Sequence, residues 1–204
     1  MKLILMTKST FFVEEDKILS ALFEEGLNNL HLYKPGSEPM YSERLLTLLP
    51  EDTRRLITVH EHFYLKNEFR LKGIHLDTPD MKLPAGYKGK YSRTCRDLSM
   101  LKTMKKECDY VLLRNVFDSQ TDETEQATFT QTQLEEASER GLIDKHVYAL
   151  GGMNIDTISR AKKLGFGGVV IRGDLWNRFN IHRQVDYKDI ISHFTLLKNA
   201  VEKS

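Results

Sequence analysis

The residues able to carry chemistry in this sequence stand in small groups, nearly all just after short apolar runs. His31, Tyr33 and Lys34 belong to LHLYK; His60, Glu61 and His62 follow LITV; Asp77 and Asp80 follow GIHL. Ser92 and Thr94 lie in KYSRT, Arg114 and Asn115 follow YVLL, Gly151-Gly152 follow VYAL, and Arg172, Gly173 and Asp174 follow VVI. The glycines bear on anions. Backbone N–H groups approach a phosphate closely only where no Cβ intervenes, and a helix N-terminus next to the turn favours negative charge. Gly151-Gly152 before a capped helix, with Gly173 after the next run, is such a pattern; Gly-Gly is also an ordinary turn pair.

His60-x-His62 invites a metal reading, because alternate residues of a strand share a face. Here His62 falls beyond the strand end, which argues against a zinc-type pair. Glu61 and Asp80 can instead hold Mg²⁺, a hard cation that prefers carboxylate and phosphate oxygens; the plainer reading is surface carboxylates. His75, inside an apolar run, reads as a satisfied core histidine. Cys95 and Cys108 lack metal-site spacing and a neighbouring histidine, so neither reads as a ligand or a nucleophile.

These groups need elements to hold them. Strand-like runs are read at Lys2–Met6, Leu30–Tyr33, Leu56–Val59, Gly73–Leu76, Lys90–Thr94, Tyr110–Leu113, Val147–Leu150 and Val169–Ile171. Helical spacing is read at Glu14–Glu24, Tyr41–Leu49, Phe63–Phe69, Asp97–Lys106, Gln131–Arg140, the stretch capped by Asn154 or Asp156 and ended by Gly165, and Tyr187–Val201. Asp77–Pro84, Asn115–Thr130 and Asp174–Asp186 read as loops. Regular βα alternation predicts a parallel sheet, and eight repeats in one domain over residues 1–204 fit a closed (β/α)₈ TIM barrel; a doubly wound open sheet is the alternative if KYSRT is not a strand. In such a barrel the groups above gather at the C-terminal end of the strands.

The chain has 204 residues, with 30 basic and 29 acidic side chains and a formal net charge of +1. That balance gives no global field drawing it to nucleic acid or to a membrane. The sequence shows no signal-peptide pattern and no bilayer-length apolar stretch, so a cytoplasmic location is expected. Phe11 and Phe12, apolar residues in a loop, are candidates for an interface in a homo-oligomer.

Three segments resemble the thiamine-phosphate synthase and TenI family of (β/α)₈ barrels. GIHLDTPDMKLP (73–84) is similar to the family's GVHLGQEDLP, DYVLLRNVFDSQT (109–121) to DYIGVGPVFPTPTK, and ALGGMNIDTISRAKKLGFGGVVI (149–171) to its AIGGI…GADGVAVV. The resemblance implies thiamine biosynthesis: coupling of hydroxymethylpyrimidine diphosphate to a thiazole phosphate, with Mg²⁺ and basic side chains stabilising the departing pyrophosphate. It places the thiazole-phosphate site on Gly151, Gly152 and Gly173, the Mg²⁺ aspartate on Asp80, the serine after the fifth strand on Ser92, and the threonine pair on Ser119 and Thr121.

The departures fall on the pyrophosphate side. His31 stands where the family has glutamine, Tyr33 where it has arginine and Pro35 where it has lysine, with Lys34 one position away. His60-Glu61 replaces Asn-Asp, and Asp122 replaces a lysine. A site that loses this much positive charge grips a diphosphate less well. Three readings follow: a synthase with a divergent pyrophosphate site, a TenI-like thiazole tautomerase needing no metal, or a thiazole-phosphate-binding partner protein. For the tautomerase, Asn115 stands where some relatives have the histidine, which leaves His31 or His60 as candidate bases.

Overall fold

The computed structural model describes residues 1–119, 126–178 and 187–202. Eight parallel strands close into a barrel in sequence order: β1 (Lys2–Met6), β2 (Leu30–Leu32), β3 (Ile57–Val59), β4 (Gly73–Leu76), β5 (Lys90–Cys95), β6 (Tyr110–Arg114), β7 (Val147–Leu150) and β8 (Gly168–Ile171). β8 pairs back onto β1, with Ile4 opposite Val170. KYSRT is a strand despite its polarity, which decides for the barrel over the open sheet. The helices are α1 (Glu15–Glu24), α2 (Pro39–Leu48), α3 (Glu51–Arg54), α4 (Leu65–Glu68), α5 (Leu101–Glu107), α6 (Gln131–Glu139), α7 (Ile155–Lys163), α8 (Gly173–Trp176) and α9 (Lys188–Glu202). The chain is thus a (β/α)₈ TIM barrel. The β4–β5 connection carries no helix.

Two expectations change. The segment read as loop from Asp174 opens with the short helix α8, and residues 179–186 lie outside the described part. The turn of helix α3, too short to show a period, was not legible in the pattern.

The strands are buried on both faces, so period-two alternation separates two cores. Leu3, Leu5, Leu30, Leu32, Ile57, Val59, Ile74, Leu76, Val111, Leu113, Val147 and Val169 belong to the outer core under the helices. The alternate residues fill the barrel. On β1, β6, β7 and β8 these are Ile4, Met6, Leu112, Tyr148 and Val170, an apolar cluster. On β2 to β5 they are His31, Thr58, His60, His75, Ser92 and Thr94, all buried and all polar. The barrel interior is therefore apolar on one side and hydrogen-bonded on the other.

Candidate functional site

A shallow open cleft sits at the C-terminal mouth of the barrel. Gly151, Gly152 and Gly173 line it, with Tyr33, Asp77, Arg114, Asn115, Ser119, Arg172 and Asp174. The Arg172 guanidinium lies over the Tyr33 ring at 5.7 Å. Asp174 is held from the next helix: His193 Nε2 lies 2.5 Å from its Oδ2. Asn154 caps α7 through a capping box with Thr157, so the helix after Gly151-Gly152 begins at the turn, as the sequence pattern requires.

The glycine turn has a second task. Gly151 and Gly152 have φ of 106° and 60°, in the left-handed region that favours glycine. A Cβ on Gly151 would lie 2.9 Å from the Asn115 Cα, and one on Gly152 would overlap the Asp118 carbonyl oxygen. The loop after β6 lies directly against the turn: Val116 N–H donates to the Leu150 carbonyl at 3.1 Å and Phe117 N–H to that of Gly151 at 3.3 Å. The loops after β6 and β7 are thus joined at the cleft wall.

Beneath the mouth, a hydrogen-bonded chain runs through the polar side of the barrel. Asp77, 24% exposed, lies with its Oδ2 2.8 Å from His60 Nδ1. His60 Nε2 is 2.8 Å from His31 Nδ1, and His31 Nε2 is 2.6 Å from the Tyr110 hydroxyl. His75 joins alongside, with Nδ1 2.7 Å from Ser92 Oγ and Nε2 2.8 Å from Thr94 Oγ1; the latter nitrogen is also 3.6 Å from Asp77 Oδ1. Burial, reinforced by the neighbouring His60, holds His31 and His75 well below the usual histidine pKa, so both are neutral imidazoles. Burial pushes the Tyr110 phenol up to about 12. Within this chain only Asp77 lines the cleft; it can exchange a proton with a bound molecule while the histidines behind it orient it.

The structure brings part of the expected site together. Gly151, Gly152, Gly173, Tyr33 and Ser119 share the cleft. His31, His60 and Ser92 are wholly buried below it, and the first two reach it only through Asp77. Lys34 is elsewhere engaged: its ammonium lies 2.6 and 2.9 Å from the two oxygens of buried Glu15, donates to the Thr10 carbonyl and sits over the Phe11 ring. Thr121 lies outside the described residues. Phe11 and Phe12 are half-buried in the protein's own packing, against Tyr41 and Trp176.

Asp77, Arg114 and Arg172 were visible as strand-end residues, but nothing in their spacing raised them above their neighbours. Following each strand at period two to its end or just past it, as in Leu112-x-Arg114 and His75-x-Asp77, is the signal that groups them.

Glu61 and Asp80, the residues expected to hold Mg²⁺, have separate surroundings. Both Glu61 oxygens lie 3.1 Å from the Gly36 N–H. Asp80 is fully exposed, and its carboxyl is held below its usual pKa chiefly by the Thr78 hydroxyl. Among the described residues, His31, His60 and His75 are the group close enough together to hold an ion, and neutral imidazoles are transition-metal rather than Mg²⁺ ligands. His62, turned outward, contacts the Ser37 carbonyl instead.

No family model matches the chain, and no curated protein matches it. Solved structures do. A thiamine phosphate pyrophosphorylase from Bacteroides thetaiotaomicron is 47% identical over the whole of both chains, with a TM-score of 0.89. A thiamine phosphate pyrophosphorylase from Pyrococcus furiosus, 18% identical, aligns over 98% of this chain and 95% of its own with a TM-score of 0.76, and shows the shared fold. A 3-hexulose-6-phosphate synthase, 12% identical with a TM-score of 0.59, does the same at greater distance. With full-length identity of 47% to the first of these, the chain belongs to the thiamine phosphate pyrophosphorylase, or thiamine-phosphate synthase, family.

Proposed function

We propose that the cleft binds a thiazole phosphate of thiamine biosynthesis and isomerises it by proton transfer, with Asp77 as the acid–base group. The observation that carries this reading is the contact between Asp77, open to the cleft, and the buried pair His60–His31. The phosphate is assigned to the mouth between Gly151-Gly152 and the start of α8, the position favoured in barrels of this kind. Arg172 and Arg114, which line the same cleft, add positive charge. Asp77 as carboxylate takes a proton from one carbon of the ligand, and the electron pair enters the conjugated system. The same carboxyl returns a proton at the other position, so the reaction is a balanced isomerisation. His60 is a positioning residue: its imidazole fixes the carboxyl in place. Ser92 acts at one remove, by orienting His75.

A second reading is coupling with hydroxymethylpyrimidine diphosphate. Full-length identity to a chain named thiamine phosphate pyrophosphorylase favours it, as do the two cleft arginines. With Lys34 bound to Glu15, Mg²⁺ would be held mainly by oxygens of the diphosphate and by one or two carboxylates such as Asp80.

The two readings part in one assay. The purified protein receives the thiazole carboxylate phosphate tautomer alone, or thiazole phosphate with the pyrimidine diphosphate and Mg²⁺. The proposal expects isomerisation in the first mixture, with kcat in Asp77→Asn lowered by roughly 10²- to 10⁴-fold and binding retained. Thiamine phosphate in the second mixture, with no isomerisation in the first, would replace it by the coupling reading.

A further inference from the structure

The opposite end of the barrel holds a second cavity, of about 470 Å³, whose walls come from the starts of the strands. Lys2, Lys72, Lys90 and Lys145 face it, against a single carboxylate among its walls, Asp109. One oxygen of Asp109 already accepts the Tyr91 N–H at 3.0 Å. The stacked rings of Tyr110 and Tyr148, 4.8 Å apart, complete the wall.

A ring of lysines at strand starts is ordinarily a solvated face. Its shape sets this one apart: four lysines from four different strand starts line one hollow rather than a flat face. Lys72 is half-buried, and burial together with the charges of Lys2 and Lys90 lowers its pKa to about 8. Like charges are thus gathered around one hollow, with Lys72 the most enclosed of them, and an anion there would neutralise them.

We propose that this cavity is a binding site for a small multivalent anion of the phosphate class, distinct from the mouth cleft. Lys72, Lys90 and Lys145 supply charge-assisted donors to its oxygens. The site needs no metal and no chemistry; it recognises charge and size.

Inorganic pyrophosphate, titrated into the full chain by calorimetry at fixed ionic strength with chloride as control, tests this. The expected result is binding that Lys72→Gln or Lys145→Gln weakens about tenfold and that Arg172→Gln, in the other cleft, leaves in place. A labelling readout covers the case of a variant that fails to fold. In the unaltered protein at pH 8, an amine-directed reagent should modify Lys72 readily, and pyrophosphate should protect it. Binding abolished by Arg172→Gln but untouched by the lysine variants would overturn the proposal. So would absence of both heat and protection at millimolar pyrophosphate.

Discussion

Asp77 touches both the cleft and the buried histidines, and the side chains behind it set how the site responds to pH. His31 and His75 have pKa values lowered in the fold by burial, so the folded chain binds fewer protons than the unfolded one as the pH falls below the ordinary histidine value of about 6.5. Their contribution is therefore fully present above about pH 6.5 and is lost as pH drops below it. Urea midpoints between pH 7 and pH 5 should fall by about 1 kcal/mol of stability per pH unit for each histidine; replacing His75 by Gln should flatten the slope, and a slope unchanged by it would contradict neutral burial. Gly152 makes a second residue-scale case. Alanine there meets the Asp118 carbonyl at a φ of 60°, so Gly152→Ala should cost at least about 2 kcal/mol in denaturant unfolding. A loss of phosphate affinity in that variant would thus report on the joined loops as well as on the anion. An unchanged midpoint would show that the loop after β6 yields easily.

At the scale of elements, the ion pair between α1 and the segment after β2 ties the mouth of the barrel to its helical layer. Glu15 and Lys34 are each 2% exposed; burial raises the pKa of the first and lowers that of the second, their mutual attraction opposing both shifts. Lys34→Met alone strands a buried carboxylate and should destabilise by about 3–5 kcal/mol, while Lys34→Met with Glu15→Leu should recover most of the loss. Equal destabilisation in the single and double variants would contradict the pairing. The elements themselves were largely legible. Strand positions followed from short β-branched and leucine runs, and the barrel from their number and their alternation with helices. Polar KYSRT is a strand because its inward residues, Ser92 and Thr94, meet His75 rather than leucine. The site was less legible for the same reason. A histidine in an apolar run reads as core, and His75 is core, yet it neighbours two other histidines that the parallel pairing of β2, β3 and β4 brings near. Lys34 illustrates the converse: it follows a strand and carries the right charge, but a glutamate 19 positions earlier holds it.

The whole molecule divides the barrel lengthwise and end to end. Along its length, an apolar side built by β1, β6, β7 and β8 faces a hydrogen-bonded side built by β2 to β5. Stability can rest on the first while the second holds imidazoles in a hydrogen-bonded chain. End to end, a cleft with glycine turns, two arginines and Asp77 stands opposite a lysine-lined hollow. Family membership accounts for the barrel; the histidine chain is built on β2, β3 and β4 and ends at Asp77. The most direct test of the account is therefore single-turnover isomerisation of the thiazole carboxylate phosphate by the unaltered chain and by Asp77→Asn. The account predicts turnover that falls at least about a hundredfold in the variant with ligand affinity preserved. Equal rates in the two proteins would contradict it.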